Sequence, residues 1–81
     1  MKLYKSKDFI RRAPQLDTLI WDSFDLKFSI TTTTNQYSQY FVYVNLGTTD
    51  EPLGIQEDSL SDAIDSLNKM IESGEIEKYI F

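Results

Sequence analysis

The stretch Asp58 to Gly74, DSLSDAIDSLNKMIESG, constrains this chain more than any other. Leu60, Ile64, Leu67 and Ile71 recur at steps of four, three and four, which sets them on one stripe of an α-helix. Ala63 and Met70 widen the stripe. Asp58, Asp62, Asp65 and Glu72 recur at helical steps too, displaced by two residues, and fall on the opposite face. Ser59 is suited to cap the N-terminus, and Asp62 three residues later completes an approximate capping box. Asp58 and Asp62 also complement the positive end of the helix dipole. Gly74 stands where a left-handed residue would close the helix. The spacing predicts a helix over 59–73 with an oily side that must be buried.

Its mate is predicted to be a β-hairpin. Phe24, Leu26, Phe28 and Ile30 alternate with Asp25, Lys27, Ser29 and Thr31, the period of a half-buried strand. Thr31 to Thr34 extends it with β-branched residues. Asn35-Gln36 marks a reversal, and Tyr37 to Leu46 returns. Loop parity decides which side chains meet. A two-residue loop would set Phe28 against Phe41 and Tyr43. An odd loop sets it among Tyr40, Val42, Val44 and Leu46, which makes one face wholly apolar and leaves Tyr37, Phe41 and Tyr43 on the other. The odd loop is the reading adopted.

Around this hairpin the signals are shorter. Gly47 to Gly54 is a polar connector with turn-forming Pro52, and Leu53 to Gln56 fits a third strand. Residues 6–12 fit a short helix capped by Ser6, with Phe9 and Ile10 turned inward and Pro14 ending it. Gln15 to Trp21 suits a helical face through Leu16, Leu19 and Ile20, and also an extended segment; helix is preferred. Ile76, Tyr79, Ile80 and Phe81 favour a docked tail. The expected fold is α+β: an antiparallel sheet of about three strands with the 24–46 hairpin at its centre, packed by one C-terminal amphipathic helix (59–73), with a short N-terminal helical segment. Residues 1–81 make one domain on this reading.

Composition limits the chemistry. With no histidine and no cysteine among 81 residues, the commonest general base, nucleophile and transition-metal ligands are missing, as are disulfides. The carboxylate pairs Asp22/Asp25, Asp50/Glu51 and Glu57/Asp58 lack the spacing of a calcium loop or a phosphate loop. A non-enzymatic protein that holds no cofactor and no metal is expected. No run approaches the ~20 apolar residues of a membrane span, and MKLYKSKD lacks the apolar core of a signal peptide. A cytoplasmic protein without a membrane partner is expected.

Charge is split along the chain. Residues 1–12 carry Lys2, Lys5, Lys7, Arg11 and Arg12 against Asp8, whereas 13–81 hold three lysines against twelve carboxylates. Either the basic end folds onto the acidic body, or each is free to meet a partner. The acidic helix face, Asp58, Asp62, Asp65 and Glu72, is one candidate partner surface, with solvated surface as its plain alternative. Its carboxylates rise ~4.5–6 Å from one turn to the next, against ~3.4 Å between phosphates along one DNA strand. That row could therefore imitate a nucleic-acid edge, as small acidic inhibitors from phages and mobile elements do, although Lys69 interrupts it. The aromatic set Tyr37, Phe41 and Tyr43 is the second candidate, unless Phe9, Ile10 and Trp21 cover it.

The order YFVYVNL, a connector ending Leu53-Gly54, then DSLSDAI resembles HicB-type antitoxins over residues 24–73. Those place two or three antiparallel strands before a helix of this kind, and the resemblance implies a module that neutralises a small ribonuclease. The leading expectation is a small acidic protein-binding module that occupies a basic surface of a larger partner, such as a nucleic-acid-binding enzyme. Direct nucleic-acid binding would fall to the basic N-terminus beside the aromatic set. A homodimer through that set is compatible with each reading.

Overall fold

Five strands precede the helix, where the sequence pattern suggests about three. The computed structural model describes residues 2–34 and 39–80. A single 3-10 turn, Ser6–Asp8, leads into β1 (Phe9–Gln15), β2 (Thr18–Ser23), β3 (Phe28–Thr33), β4 (Tyr40–Asn45) and β5 (Asp50–Glu57). α1 (Leu60–Ser73) follows, then a 3-10 turn at Glu75–Lys78. The strands form one sheet in chain order, each antiparallel to its neighbours. The α+β packing of a sheet by one helix agrees with expectation; the strand count and the N-terminal helical segment do not.

The helix is built as its sequence asks. Ser59 is extended and its Oγ accepts the Asp62 backbone N–H at 3.1 Å. Gly74 closes the helix at φ 82°, a conformation glycine adopts without the Cβ penalty. Ala63, Ile64, Leu67 and Met70 are buried, while Leu60 and Ile71 pack at the margin. Fully burying an aliphatic side chain of this size stabilises by roughly 1.5–3 kcal/mol. The opposing layer is Phe28, Ile30, Val42, Val44, Leu53 and Ile55, and Ile76 from the closing turn joins it.

Phe28 pairs with Val44 and Ile30 with Val42, so even positions meet even ones, as the odd loop requires. The loop residues Asn35, Gln36 and Tyr37 lie outside the described residues. In β5, Pro52 faces Tyr43 and Gln56 faces Phe41, so three residues oppose Val42 alone. Gly54, at φ 76°, sits in this irregularity, and Leu53 and Ile55 on either side of it both turn into the core.

Three expectations are overturned for identifiable reasons. Residues 9–15 are an edge strand exposed everywhere except Phe9, so no alternation shows, and Pro14 is tolerated there because an edge strand has donors to spare. Gln15 to Trp21 is the end of β1, a two-residue hairpin turn and the start of β2, not a helix. Leu19 and Trp21 are half-buried and Ile20 buried, so apolar residues occupy both faces and conceal the period of two. Phe24 and Leu26, expected to face the helix, instead lie in the β2–β3 turn, 63% and 66% exposed. Leu46 is also exposed.

The N-terminus docks through its backbone. The Tyr4 N–H donates to Asn68 Oδ1, and Asn68 Nδ2 donates to the Tyr4 carbonyl, both at 2.8 Å. This places the Tyr4 ring edge-on to Phe28, with centroids 5.4 Å apart, and 5.8 Å from Phe9. No helix among the described residues is long and apolar enough to cross a membrane.

Leu67 is fully buried at the centre of this packing. Leu67→Ala should lower unfolding free energy by about 2–5 kcal/mol, measured by urea denaturation. A loss below about 1 kcal/mol would place the core elsewhere.

Candidate functional site

The outer face of α1 carries Asp62, Asp65 and Glu72, all exposed, with Asp58 just ahead of the N-cap. Asp58 accepts a hydrogen bond from Gln39 Nε2 at 2.9 Å. Among the described residues, the ion pair found is Arg12 with Asp22, at 2.7 Å, far from this stripe in the fold. Among the described residues, Asp62, Asp65 and Glu72 thus make no ion pair. Lys69 is exposed on the same stripe.

Of the basic N-terminal residues, Lys2 and Lys5 flank Tyr4, which docks on α1 at Asn68. The Lys2 ammonium lies 5.4 Å from the Tyr4 ring centroid. The Lys5 backbone N–H donates to Asp8 Oδ2 at 2.8 Å. Arg12 grips Asp22 with Nε and one terminal nitrogen, at 2.8 and 2.7 Å, and this hydrogen bonding raises its pKa further above the ordinary range. Among the described residues, no ion pair joins the basic end to the α1 carboxylates. The segment docks by neutral contacts to Asn68.

The face of the sheet away from α1 holds the described part of the aromatic set. Phe41 is exposed and Tyr43 half-buried. They share an open depression of about 510 Å³ with Arg12, Ile20, Thr31 and Asp50. Arg12 is on the first strand and Asp50 on the last, so the sheet curls enough for its two edges to flank one hollow. Phe9 and Trp21 do not cover this face: Phe9 is in the helix-side core, and Trp21 packs on Tyr40 with centroids 5.8 Å apart. Tyr37 lies outside the described residues.

Sequence reasoning missed a third feature, the turn at 23–28. The Asp25 carboxylate accepts hydrogen bonds from the Tyr4 hydroxyl, from Ser23 Oγ at 2.7 Å and from the Lys27 backbone N–H at 3.1 Å. Ser23 Oγ in turn accepts from the Phe28 N–H at 3.0 Å. Asn45 Nδ2 reaches the Leu26 carbonyl at 3.0 Å, and the Phe24 N–H donates to the Asp8 carbonyl at 2.9 Å. Leu26 is left-handed, φ 61°, a conformation that bulky side chains disfavour. The available signal was Ser23 and Asp25, turn formers through side-chain hydrogen bonds, hidden within an apparently regular alternation.

The turn also perturbs two titrations. Burial, reinforced by hydrogen bonding to Asp25, pushes the Tyr4 hydroxyl pKa well above its ordinary value. Partial burial pulls the Asp25 carboxyl upward, but hydrogen bonds from Tyr4, Ser23 and the Lys27 N–H outweigh it and leave it below the usual carboxylate range. Among the described residues, no group of acidic side chains is arranged to hold a metal ion.

Comparison with protein-family models, curated proteins and solved structures finds no match for this chain. Geometry is thus the basis for any functional reading.

The signs of the two shifts set opposite pH limits. A depressed Asp25 contributes stability that is present above its unfolded value, about 4, and is lost as pH falls through the folded value. A raised Tyr4 contributes stability that is whole below about 10 and is lost as pH rises beyond it. Asp25→Asn should flatten the acid limb of a Tm–pH profile, and Tyr4→Phe the alkaline limb. Profiles parallel to that of the unsubstituted protein would refute the assignment.

Proposed function

We propose that this chain is a non-catalytic binding protein that docks the outer face of α1 on a basic surface of a larger protein. The observation that carries this reading is that Asp62, Asp65 and Glu72 are exposed on one helix face and, among the described residues, make no ion pair. Holding like charges on one helix face costs a little stability. The same arrangement raises the encounter rate with a basic partner and supplies charge complementarity there. A nucleic-acid-binding enzyme has the kind of surface such a row fits, and occupying it would inhibit that enzyme. The strand-then-helix order keeps the HicB-type alternative within this same class of non-enzymatic, protein-directed inhibitor.

The test is capture of partners from the source organism with tagged protein and with the Asp62→Lys/Asp65→Lys double variant. The unsubstituted protein should retain a partner that salt elutes, because exposed charge contacts are screened within ~10 Å at about 0.1 M salt. The double variant should retain none of it. A partner held equally by both proteins and indifferent to salt would exclude the acidic face.

A further inference from the structure

The curled sheet encloses more than one hollow on its open face. The depression of about 510 Å³ against Phe41 and Tyr43 adjoins a second of about 140 Å³, and the two share Arg12, Ser29 and Asp50. Strand register builds the floor of this trough. Ile20 pairs with Thr31 and Thr31 with Phe41, while Asp22 pairs with Ser29 and Ser29 with Tyr43. Paired residues project to the same side of a sheet, so all six face away from α1. Ser29 is only 7% exposed, and its hydroxyl makes no hydrogen bond among the described residues. A buried hydroxyl left without a partner is destabilising. Because Ser29 lines both hollows, the trough is where its missing partner belongs.

The lining decides the chemistry of that partner. Arg12 is held by Asp22 through two hydrogen bonds, and neither hollow is lined by a lysine or a second arginine among the described residues. Asp50 makes no ion pair there. A phosphate or an acidic peptide would meet an unpaired carboxylate and no free cation, so the trough disfavours anions. Phe41 and Tyr43 stand two apart on one strand and form a single wall, not the many-sided aromatic cage that holds a quaternary ammonium. What remains is hydroxyl beside apolar surface: Ser29, Thr31 and Thr18 next to Ile20, Phe41 and Tyr43. The volume suits a small molecule. We propose that this trough is a binding site for an uncharged saccharide. The C–H face of the sugar lies against Phe41, Tyr43 and Ile20. Its hydroxyls both donate and accept, and so can satisfy Ser29 and Thr31 and donate to the Asp50 carboxylate. The site is on the opposite face of the sheet from α1, and its fate does not depend on the reading of α1.

The probes are glucose, galactose, mannose, maltose and cellobiose, each titrated into isotopically labelled full-length protein. Saturable amide shifts at Ser29, Thr31, Phe41 and Tyr43 are expected with at least one of them. Added salt should leave that affinity unchanged, because no charge attraction is screened. Ser29→Ala should weaken binding about fivefold, the equivalent of one hydrogen bond. Its Tm should stay level or rise, since the hydroxyl has no partner to lose in the isolated protein; a purely structural Ser29 predicts a lower Tm and unaltered affinity. Phe41→Ser, at a position 38% exposed, supplies a second folded variant with binding weakened about tenfold. Four results would overturn the proposal: no saturable shifts with any of the sugars, affinity unaltered in both variants, shifts confined to α1, or tighter binding of uridine or inorganic phosphate at the same residues. Self-association abolished by Phe41→Ser would overturn it too, by making the occupant of this face a second copy of the chain.

Discussion

One helix cannot cover a five-stranded sheet, and most of this structure follows from that mismatch. Five strands span about 19 Å at ~4.8 Å spacing, whereas a helix with its side chains is ~10–12 Å wide. α1 lies over β4 and β5. The remaining width is covered by Tyr4, Phe9, Trp21 and Tyr40, and this is why the N-terminal segment must return to Asn68. Without that clamp the Tyr4–Phe9–Phe28 cluster would lose its outer layer. The opposite face has no such cover among the described residues, and its hollow with Phe41 and Tyr43 remains open.

The same mismatch sets where the basic segment docks. The N-terminal segment reaches the helix through an uncharged amide pair at Asn68, and among the described residues its lysines make no ion pair with the α1 carboxylates. Net charge alone, −5, describes a uniformly acidic protein. The fold gathers Asp62, Asp65 and Glu72 on one exposed helix face and pairs Arg12 with Asp22 beside exposed Ile10, Phe24 and Leu26.

Legibility in the sequence tracked how one-sided each element's environment is. α1 has a single buried stripe, so Leu60 to Ile71 revealed its extent and Ser59 and Gly74 its ends. The apolar side chains of β3 and of the buried part of β4 lie on one face, and their register followed from parity alone. β1 is exposed on both sides and β2 is apolar on both, so neither shows a period of two, and spacing among Leu16, Leu19 and Ile20 mimicked a helix. Phe24 and Leu26 continued the alternation of β3 while serving a turn, because hydrophobicity cannot distinguish a core residue from one held out by hydrogen bonds to Asp25 and Asn45. The acidic stripe was visible from its helical spacing; that the basic segment meets α1 through a neutral contact between Tyr4 and Asn68, a long-range one, was not.

The central claim is that the α1 carboxylates are free in the isolated protein and become covered by a partner. Carbodiimide labelling of carboxyl groups, resolved by mass spectrometry, reads this directly. The account predicts fast modification of Asp62, Asp65 and Glu72 in the isolated chain, slow modification of Asp22 and Asp25, and selective protection of the first three in the complex. Protection of Asp62, Asp65 and Glu72 already in the isolated chain would contradict it.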